Sequence, residues 1–450
     1  MSIIFKRKIY SRMQDWKNRF KGSTALLIQG ARRVGKSTIA EEFAKNEYDS
    51  YIIVDFSLAG KEMFELFDDF SDLNFFFLRL QTLTGTTLIA GKSVIVFDEI
   101  QLCPKARQAI KHLVKDGRYD YIETGSLISI KKNVKDIIIP SEETRISMYP
   151  MDFEEFLWAI GKASLYDLIR YSYDNFKPLG DAVNRNIMRV FRLYMLVGGM
   201  PQAVAVYLSG NDFREVDDIK RNILELYNSD LQKIDPTGYT SAIFKSIPSE
   251  LSRNVLRYKV GSVIKNGRQS RMGEYFAELA ASMTVNFTYM ANDPNVGFNL
   301  HADYDFFKIF LCDTGLFITL SFMDKDYTDN LIYKKLLSDK LSADLGYVYE
   351  NVVAQILRSQ GHSLYYYAFK KENNLIDRES GNYEIDFLIS RGDKISPLEI
   401  KSSGYKAHKS LDKFCEKYSS RISTPYLLYT KDLRKEGSIV YLPVYMAGLI

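Results

Sequence analysis

Short apolar runs recur through the first third of the chain, and each gives way to a stretch with helical spacing. Ala25-Leu26-Leu27-Ile28 reads as a buried strand, and Ser37 to Ala44 reads as a helix. Tyr51 to Phe56 predicts a second strand, with two amphipathic helical stretches after it to about Leu83. Ser93 to Glu99 predicts a third strand, Lys105 to Lys115 a helix, and Tyr119 to Thr124 a fourth strand. Alternation of this kind implies an α/β fold, a parallel sheet flanked by helices. Further on the period changes. Asp152-Phe153-Glu154-Glu155 has capping-box spacing, and the pattern stays helical to about Asp235, broken at Pro178 and at Gly198-Gly199-Met200-Pro201. The double glycine fits either a nucleotide-sensing hinge or a plain turn. Near the far end, Tyr383 to Ile389 and Pro397 to Lys401 alternate polar with apolar residues, and Gly392-Asp393 between them fits a tight hairpin turn.

Composition narrows the class. At 450 residues the chain is too long for a single core, and its 46% hydrophobic and 26% charged content is that of a globular protein. A net charge of +4 excludes a globally basic coat, so any nucleic-acid contact must come from a local patch. Cys103, Cys312 and Cys415 lie far apart with no metal spacing, and His112, His301, His362 and His408 are scattered. With a start lacking a signal-type apolar core, this makes a reducing cytoplasm the expected location. No uncharged apolar run approaches the ~18 residues of a membrane span, and no membrane partner is expected.

Candidate chemistry sits between the first strand and its helix. Gly30-Ala31-Arg32-Arg33-Val34-Gly35-Lys36-Ser37 completes the spacing G-x-x-x-x-G-K-[ST], in the strand–loop–helix context that a phosphate cradle needs. The glycines let backbone N–H groups turn inward around phosphate oxygens, and the helix start adds partial positive charge. Gly30, Arg32, Gly35, Lys36, Ser37 and Thr38 form the expected nucleotide-binding set. Lys36 would reach the terminal phosphates, and the Ser37 hydroxyl would hold Mg²⁺. Asp98-Glu99 closes an apolar strand, where ligands of parallel sheets collect. Asp98 suits Mg²⁺ through its water shell, and Glu99 suits orienting or deprotonating water. Thr124, favoured over Ser126, is placed to hold that water or report hydrolysis. Arg145 and Arg32 compete as cations for the transition state.

These residues, with Phe97 to Gln101, Thr124-Gly125-Ser126 and Tyr149 to Phe156, resemble the large family of prokaryotic AAA+ ATPases fused to an uncharacterised C-terminal domain. Tyr194 to Pro201 and Phe310 to Leu316 resemble further signatures of that family, so the similarity covers nearly the whole chain. The resemblance implies ATP as ligand and an additional-strand P-loop sheet with a helical lid. One departure stands out: Arg145 follows an acidic stretch in place of the expected glycine. By resemblance, residues 239–330 form a winged helix with Ser270 to Val285 as its recognition helix. The expected division is then 1–165 for the AAA+-like ATPase domain, 166–238 for the lid and connecting helices, 239–330 for the winged-helix-like part, and 331–450 for a C-terminal α/β domain. Between Leu251 and Met272 sit Arg253, Arg257, Lys259, Lys265, Arg268 and Arg271 with no acid among them, and no base-reading code is visible. That density suits the phosphates of a duplex or equally a protein-binding face.

In the C-terminal hairpin, a two-residue turn sets Arg391 against Lys394. Asp386 then falls opposite Glu399, and Glu384 opposite Lys401, on one face. Opposed carboxylates repel, and a divalent cation would compensate them. The spacing D-x(12)-E-x-K resembles the PD-(D/E)xK nuclease fold, in which Glu350 on a preceding helix would join Asp386, Glu399 and Lys401. Two classes of function follow. One is an ATP-hydrolysing protein whose nucleotide state, as ATP with Mg²⁺, moves winged-helix and nuclease-like parts on DNA or on a DNA-bound partner. The other is a nucleotide-gated regulatory protein with a silent nuclease-like scaffold. A homo-oligomer and a protein partner are further expectations.

Overall fold

The structure is a computed structural model. It describes residues 3–20, 22–125, 141–253, 256–264, 272–323, 346–370 and 382–450. Ser126, Lys265, Arg268 and Arg271 lie outside them, as does Ser270 of the expected recognition helix. The chain forms two compact units, Met1–Tyr149 with Ala281–Met283, and Pro150–Ala280 with Thr284–Ile450.

In the first unit the strands are β1 (Ala25–Gln29), β2 (Ser50–Asp55), β3 (Ser93–Asp98), β4 (Asp120–Gly125) and β5 (Glu143–Ser147). They form a parallel five-stranded sheet in the order β2-β3-β4-β1-β5. All six residues of β3 are buried, which is why Val94 to Phe97 are uninterruptedly apolar in a sheet covered on both faces. Helices α1 (Ile9–Phe20), α2 (Lys36–Glu47), α3 (Lys61–Glu65), α4 (Leu73–Thr84) and α5 (Pro104–Asp116) accompany the strands. Phe67, Phe76, Phe77 and Leu80 pack with Ile52, Ile95, Phe97 and Ile110 in one core. β4 separates the strand feeding the glycine loop from the strand ending in Asp98, the additional-strand arrangement that the resemblance implies. The edge strand β5 is an element that the apolar pattern does not announce, since only Ile146 of its five residues is buried.

The second unit begins with α6 (Phe153–Ala159), whose capping box is complete: Glu155 N–H donates to Asp152 Oδ1 at 2.9 Å, and Asp152 N–H to Glu155 Oε2 at 3.3 Å. α7 (Ala163–Asp174), α8 (Asp181–Val197), α9 (Pro201–Gly210), α10 (Phe213–Ile234), α11 (Tyr239–Ser252), α12 (Val260–Val263) and α13 (Gly273–Ala281) follow. Next come β6 (Val285–Ala291), β7 (Ala302–Leu311), α14 (Thr314–Ser321), α15 (Gly346–Ser359), β8 (Tyr365–Lys370), β9 (Asn382–Arg391), β10 (Lys394–Ile400), α16 (Lys409–Tyr418), β11 (Tyr426–Tyr429), β12 (Arg434–Glu436) and β13 (Ile439–Pro443). Eight strands form one mixed sheet, ordered β12-β13-β11-β10-β9-β8-β6-β7.

That sheet runs across the boundary expected at residue 330. β6 and β7 pair as an antiparallel hairpin, as a wing would, but β6 also pairs in parallel with β8. A bare β6 edge would leave unpaired backbone groups, and β8 satisfies them. The 239–330 segment therefore shares one sheet with the C-terminal part, and the helices expected as a lid belong to the same unit. Within the stretch expected as a recognition helix, the described residues form a helix over Gly273–Ala281. The β9–β10 register runs from Lys394↔Arg391 to Leu398↔Phe387, as a two-residue turn at Gly392-Asp393 requires.

Two glycine motifs meet inside this unit. A Cβ on Gly199 would lie 2.1 Å from the Met151 carbonyl oxygen, and one on Gly315 2.6 Å from Gly198 Cα. The buried Asp313 carboxylate accepts Gly199 N–H at 2.6 Å and Leu316 N–H at 2.9 Å. The Gly198-Gly199 turn is thus a packed crossing point. Among the described residues, no single helix is long and apolar enough to cross a membrane; α8 and α9 pass by composition only as a pair bent by 118°.

Candidate functional site

The glycine loop joins β1 to α2 with backbone that side chains would spoil. Gly35 has φ 99°, and a Cβ on Gly30 would meet the Met148 carbonyl oxygen at 2.3 Å. Lys36 is 7% exposed, and its ammonium donates to the carbonyls of Gly30 at 3.1 Å and Ala31 at 2.9 Å. Burial pulls its pKa down to about 8, against the opposing pull of Glu99 and Asp98. Ser37 Oγ donates to Asp98 Oδ1 at 2.8 Å, and Thr124 Oγ1 donates to the same oxygen. Two expected site residues, one from the loop and one from a strand end, thereby converge on the carboxylate of a third. Thr38 is exposed at the start of α2, as is Ser37 beside Asp98, and Arg32 is half-buried within the loop.

Glu99 follows Asp98 in left-handed backbone, φ 52° and ψ 46°, which turns it out of the strand direction. Its Oε2 accepts a hydrogen bond from the side chain of buried Gln101. Mg²⁺ fits this donor set. Such an ion is commonly held by one or two protein oxygens, with water and substrate phosphates completing its shell. Here the hydroxyl of Ser37 and the carboxylate of Asp98 supply that minimum.

Arg145 is not brought to the loop. Its Nε lies 2.6 Å from Glu143 Oε1, toward the beginning of β5 and away from the strand ends where the glycine loop sits. Glu143 in turn binds buried Arg107 at 2.6 Å, which also grips Glu123 at 2.5 Å. Burial raises the Glu123 pKa to about 8, with Arg107 opposing. An arginine embedded in this network serves the sheet, which is the physical reason its expected finger role in cis finds no support in the geometry. The sequence pattern also passes over Arg7, whose guanidinium donates to the carbonyls of Val34 in the loop at 2.9 Å and of Tyr149 at 2.6 Å. Only its cationic character within Lys6-Arg7-Lys8 hints at such a role.

In the second unit, Glu350 from α15, Glu384 and Asp386 from β9, Glu399 from β10 and Lys401 just after it do line one cleft of about 680 Å³. The cleft contains a further cation, Lys308 of β7. Lys308 forms an ion pair with Glu384 and stands 3.7 Å from Glu350. Lys401 sits 2.8 Å from Glu399, Asp386 accepts Ile400 N–H at 2.7 Å, and Glu399 accepts Leu411 N–H at 3.2 Å. Burial raises the pKa of Asp386 well above the usual carboxylate range, reinforced by Glu350 and Glu384. The pairing differs from expectation: Glu384 is held by Lys308 and not by Lys401, because Lys401 turns to the neighbouring Glu399. Among the described residues, no group of three or more His, Cys, Asp and Glu side chains is arranged to hold a metal ion. Each acid of the cleft is instead held by a cation or a backbone N–H.

Residues 22–157 match the family model of an AAA domain. The fold and the phosphate loop together define this part as an AAA-type ATPase domain. Residues 188–327 and 345–446 match two further models, each described as a domain of unknown function (DUF8612 and DUF4143). No curated protein matches the chain. Among solved structures, the chain is similar to the Walker-type ATPase PABY2304 of Pyrococcus abyssi, at 16% identity and a TM-score of 0.43, covering 70% of this chain and 96% of that one. It is also similar to the Aeropyrum pernix ORC1 protein in complex with DNA (12%, TM-score 0.27, 75% and 94% covered). The Thermotoga maritima RuvB Holliday junction branch migration motor is a third (14%, TM-score 0.28, 62% and 89% covered). All three likenesses are loose.

Proposed function

We propose that the chain is an ATP-hydrolysing switch in which Mg²⁺-ATP at the glycine loop gates a recognition unit formed by the rest of the molecule. The observation that carries the hydrolytic half is the convergence of Ser37 and Thr124 on Asp98 Oδ1, beside a phosphate loop whose lysine is already in place. Bound there, Mg²⁺ would be held through Ser37 and Asp98 and would offset phosphate charge. Lys36 would exchange its two loop carbonyls for phosphate oxygens. Gly30 and Gly35 let backbone N–H groups face those oxygens. Glu99 would take a proton from the attacking water, or orient it, from its position just past the strand end. Thr124 would fix the orientation of Asp98.

For the C-terminal unit, the reading favoured is recognition without strand cleavage, because every acid in the cleft already has a donor. DNA, or a protein bound to it, is the proposed target. Within the 251–272 segment, Arg253 pairs with Glu250 at 2.6 Å and Arg257 lies 4.4 Å from the Phe306 ring, so at least two of the six cations are engaged internally. Oligomerisation with copies of itself is proposed on the same footing.

Calorimetry with Mg²⁺-ATP tests the nucleotide half: wild-type protein binds, and Lys36→Ala loses binding. Equal heats from both would reject the assignment. ATP turnover measured with and without duplex DNA tests the target, and indifference to DNA would move the proposal to a protein partner.

A further inference from the structure

The acids of the C-terminal cleft all come from residues 346–400, inside the segment matching one family model, whereas Lys308 comes from the segment matching another. The cation is therefore delivered across a segment boundary, by the β6–β7 hairpin that adds itself to the C-terminal sheet. Lys308 is 8% exposed, and its neighbour Tyr366 presents a ring 5.7 Å from the ammonium. A buried lysine usually loses charge, yet Glu384, Glu350 and Asp386 outweigh burial here and keep it protonated. A buried charge held this way is paired as tightly as the site permits, since an unpaired one would be strongly disfavoured.

We infer that Lys308 acts as a built-in cation among Glu350, Glu384 and Asp386, offsetting part of their charge where a divalent ion would otherwise sit and closing the cleft to metal. Three features make the substitution specific. The ammonium reaches from β7 to contact Glu384 on β9 and to approach Glu350 on α15. Glu399 is separately occupied by Lys401 and by Leu411 N–H, which leaves it little freedom to swing toward a metal. A fixed positive charge inside the carboxylate group repels any second cation entering it. The inference concerns the second unit alone and does not depend on the ATPase reading.

The test is a Mn²⁺ titration of the nucleotide-free full chain, followed by the electron paramagnetic resonance signal of free Mn²⁺. Wild-type protein and Asp386→Asn should bind the same amount of Mn²⁺. Lys308→Met should gain one equivalent bound more than tenfold tighter than any wild-type site, and Lys308→Met/Asp386→Asn should lose it. A wild-type site that disappears in Asp386→Asn overturns the inference, as does a folded Lys308→Met protein with no gain. Should Lys308→Met not fold, Lys308→Met/Glu384→Gln removes both partners of the central pair and leaves Glu350, Asp386 and Glu399. The same gain is expected there, and its absence counts equally against the inference. Calorimetry with ATP on the same samples reads the phosphate loop separately, so either site can fail without the other.

Discussion

Lys36 is held by two loop carbonyls, and burial of its ammonium has a measurable consequence. With its pKa lowered to about 8, the ligand-free loop is part-deprotonated just above neutral pH. Phosphate binding requires the ammonium, so nucleotide binding above pH 8 must be accompanied by proton uptake. Affinity for Mg²⁺-ATP is therefore constant well below pH 8 and falls as pH rises through it, approaching tenfold per pH unit by the limiting law of linkage. Isothermal titration across pH 7 to 10 checks this, and a flat profile would show that Lys36 keeps its proton. At this scale the glycine loop and Asp98-Glu99 are readable from spacing alone, because their chemistry is local in the chain. Arg7 and Lys308 are not, since each reaches its partners across folded distance and neither belongs to a motif.

Helices and strands add constraints that no single residue carries. The turn between α8 and α9 is packed so closely that a methyl group on Gly199 would collide with the backbone of Met151. Gly199→Ala should therefore destabilise the protein by about 3 kcal/mol or more, beyond the range where side-chain shifts suffice. Gly210, at the end of α9, is the control: a methyl group there would meet nothing within 4 Å, and Gly210→Ala should change stability by well under ~1 kcal/mol. Denaturant unfolding of the two variants compares them; equal midpoints would refute the packed crossing. The helical pattern around this turn is legible from Pro201 and the paired glycines, but its burial is not. Burial depends on Asp313 and Gly315, more than a hundred residues later. The β9–β10 register, by contrast, is legible, because a two-residue turn fixes every pair that follows. The pairing of the hairpin strand β6 with β8 escapes the pattern, since parallel pairing leaves no local trace in sequence.

As a whole molecule, the chain joins an AAA-type ATPase domain to a larger unit built on an eight-stranded sheet. Alternating strands and helices make the first unit's class plain, and its strand order follows once β4 takes its place between β1 and β3. The second unit is harder to read, because its sheet draws on segments that resemble separate domains. Its function in this account is recognition, and the energy for changing its state comes from the phosphate loop. That claim rests on hydrolysis being real and on Glu99 driving it. The most direct test is single-turnover release of phosphate from Mg²⁺-ATP by the full chain, wild type beside Glu99→Gln. The account predicts that Glu99→Gln retains nucleotide and releases phosphate at least about 100-fold more slowly; release at the wild-type rate would contradict it.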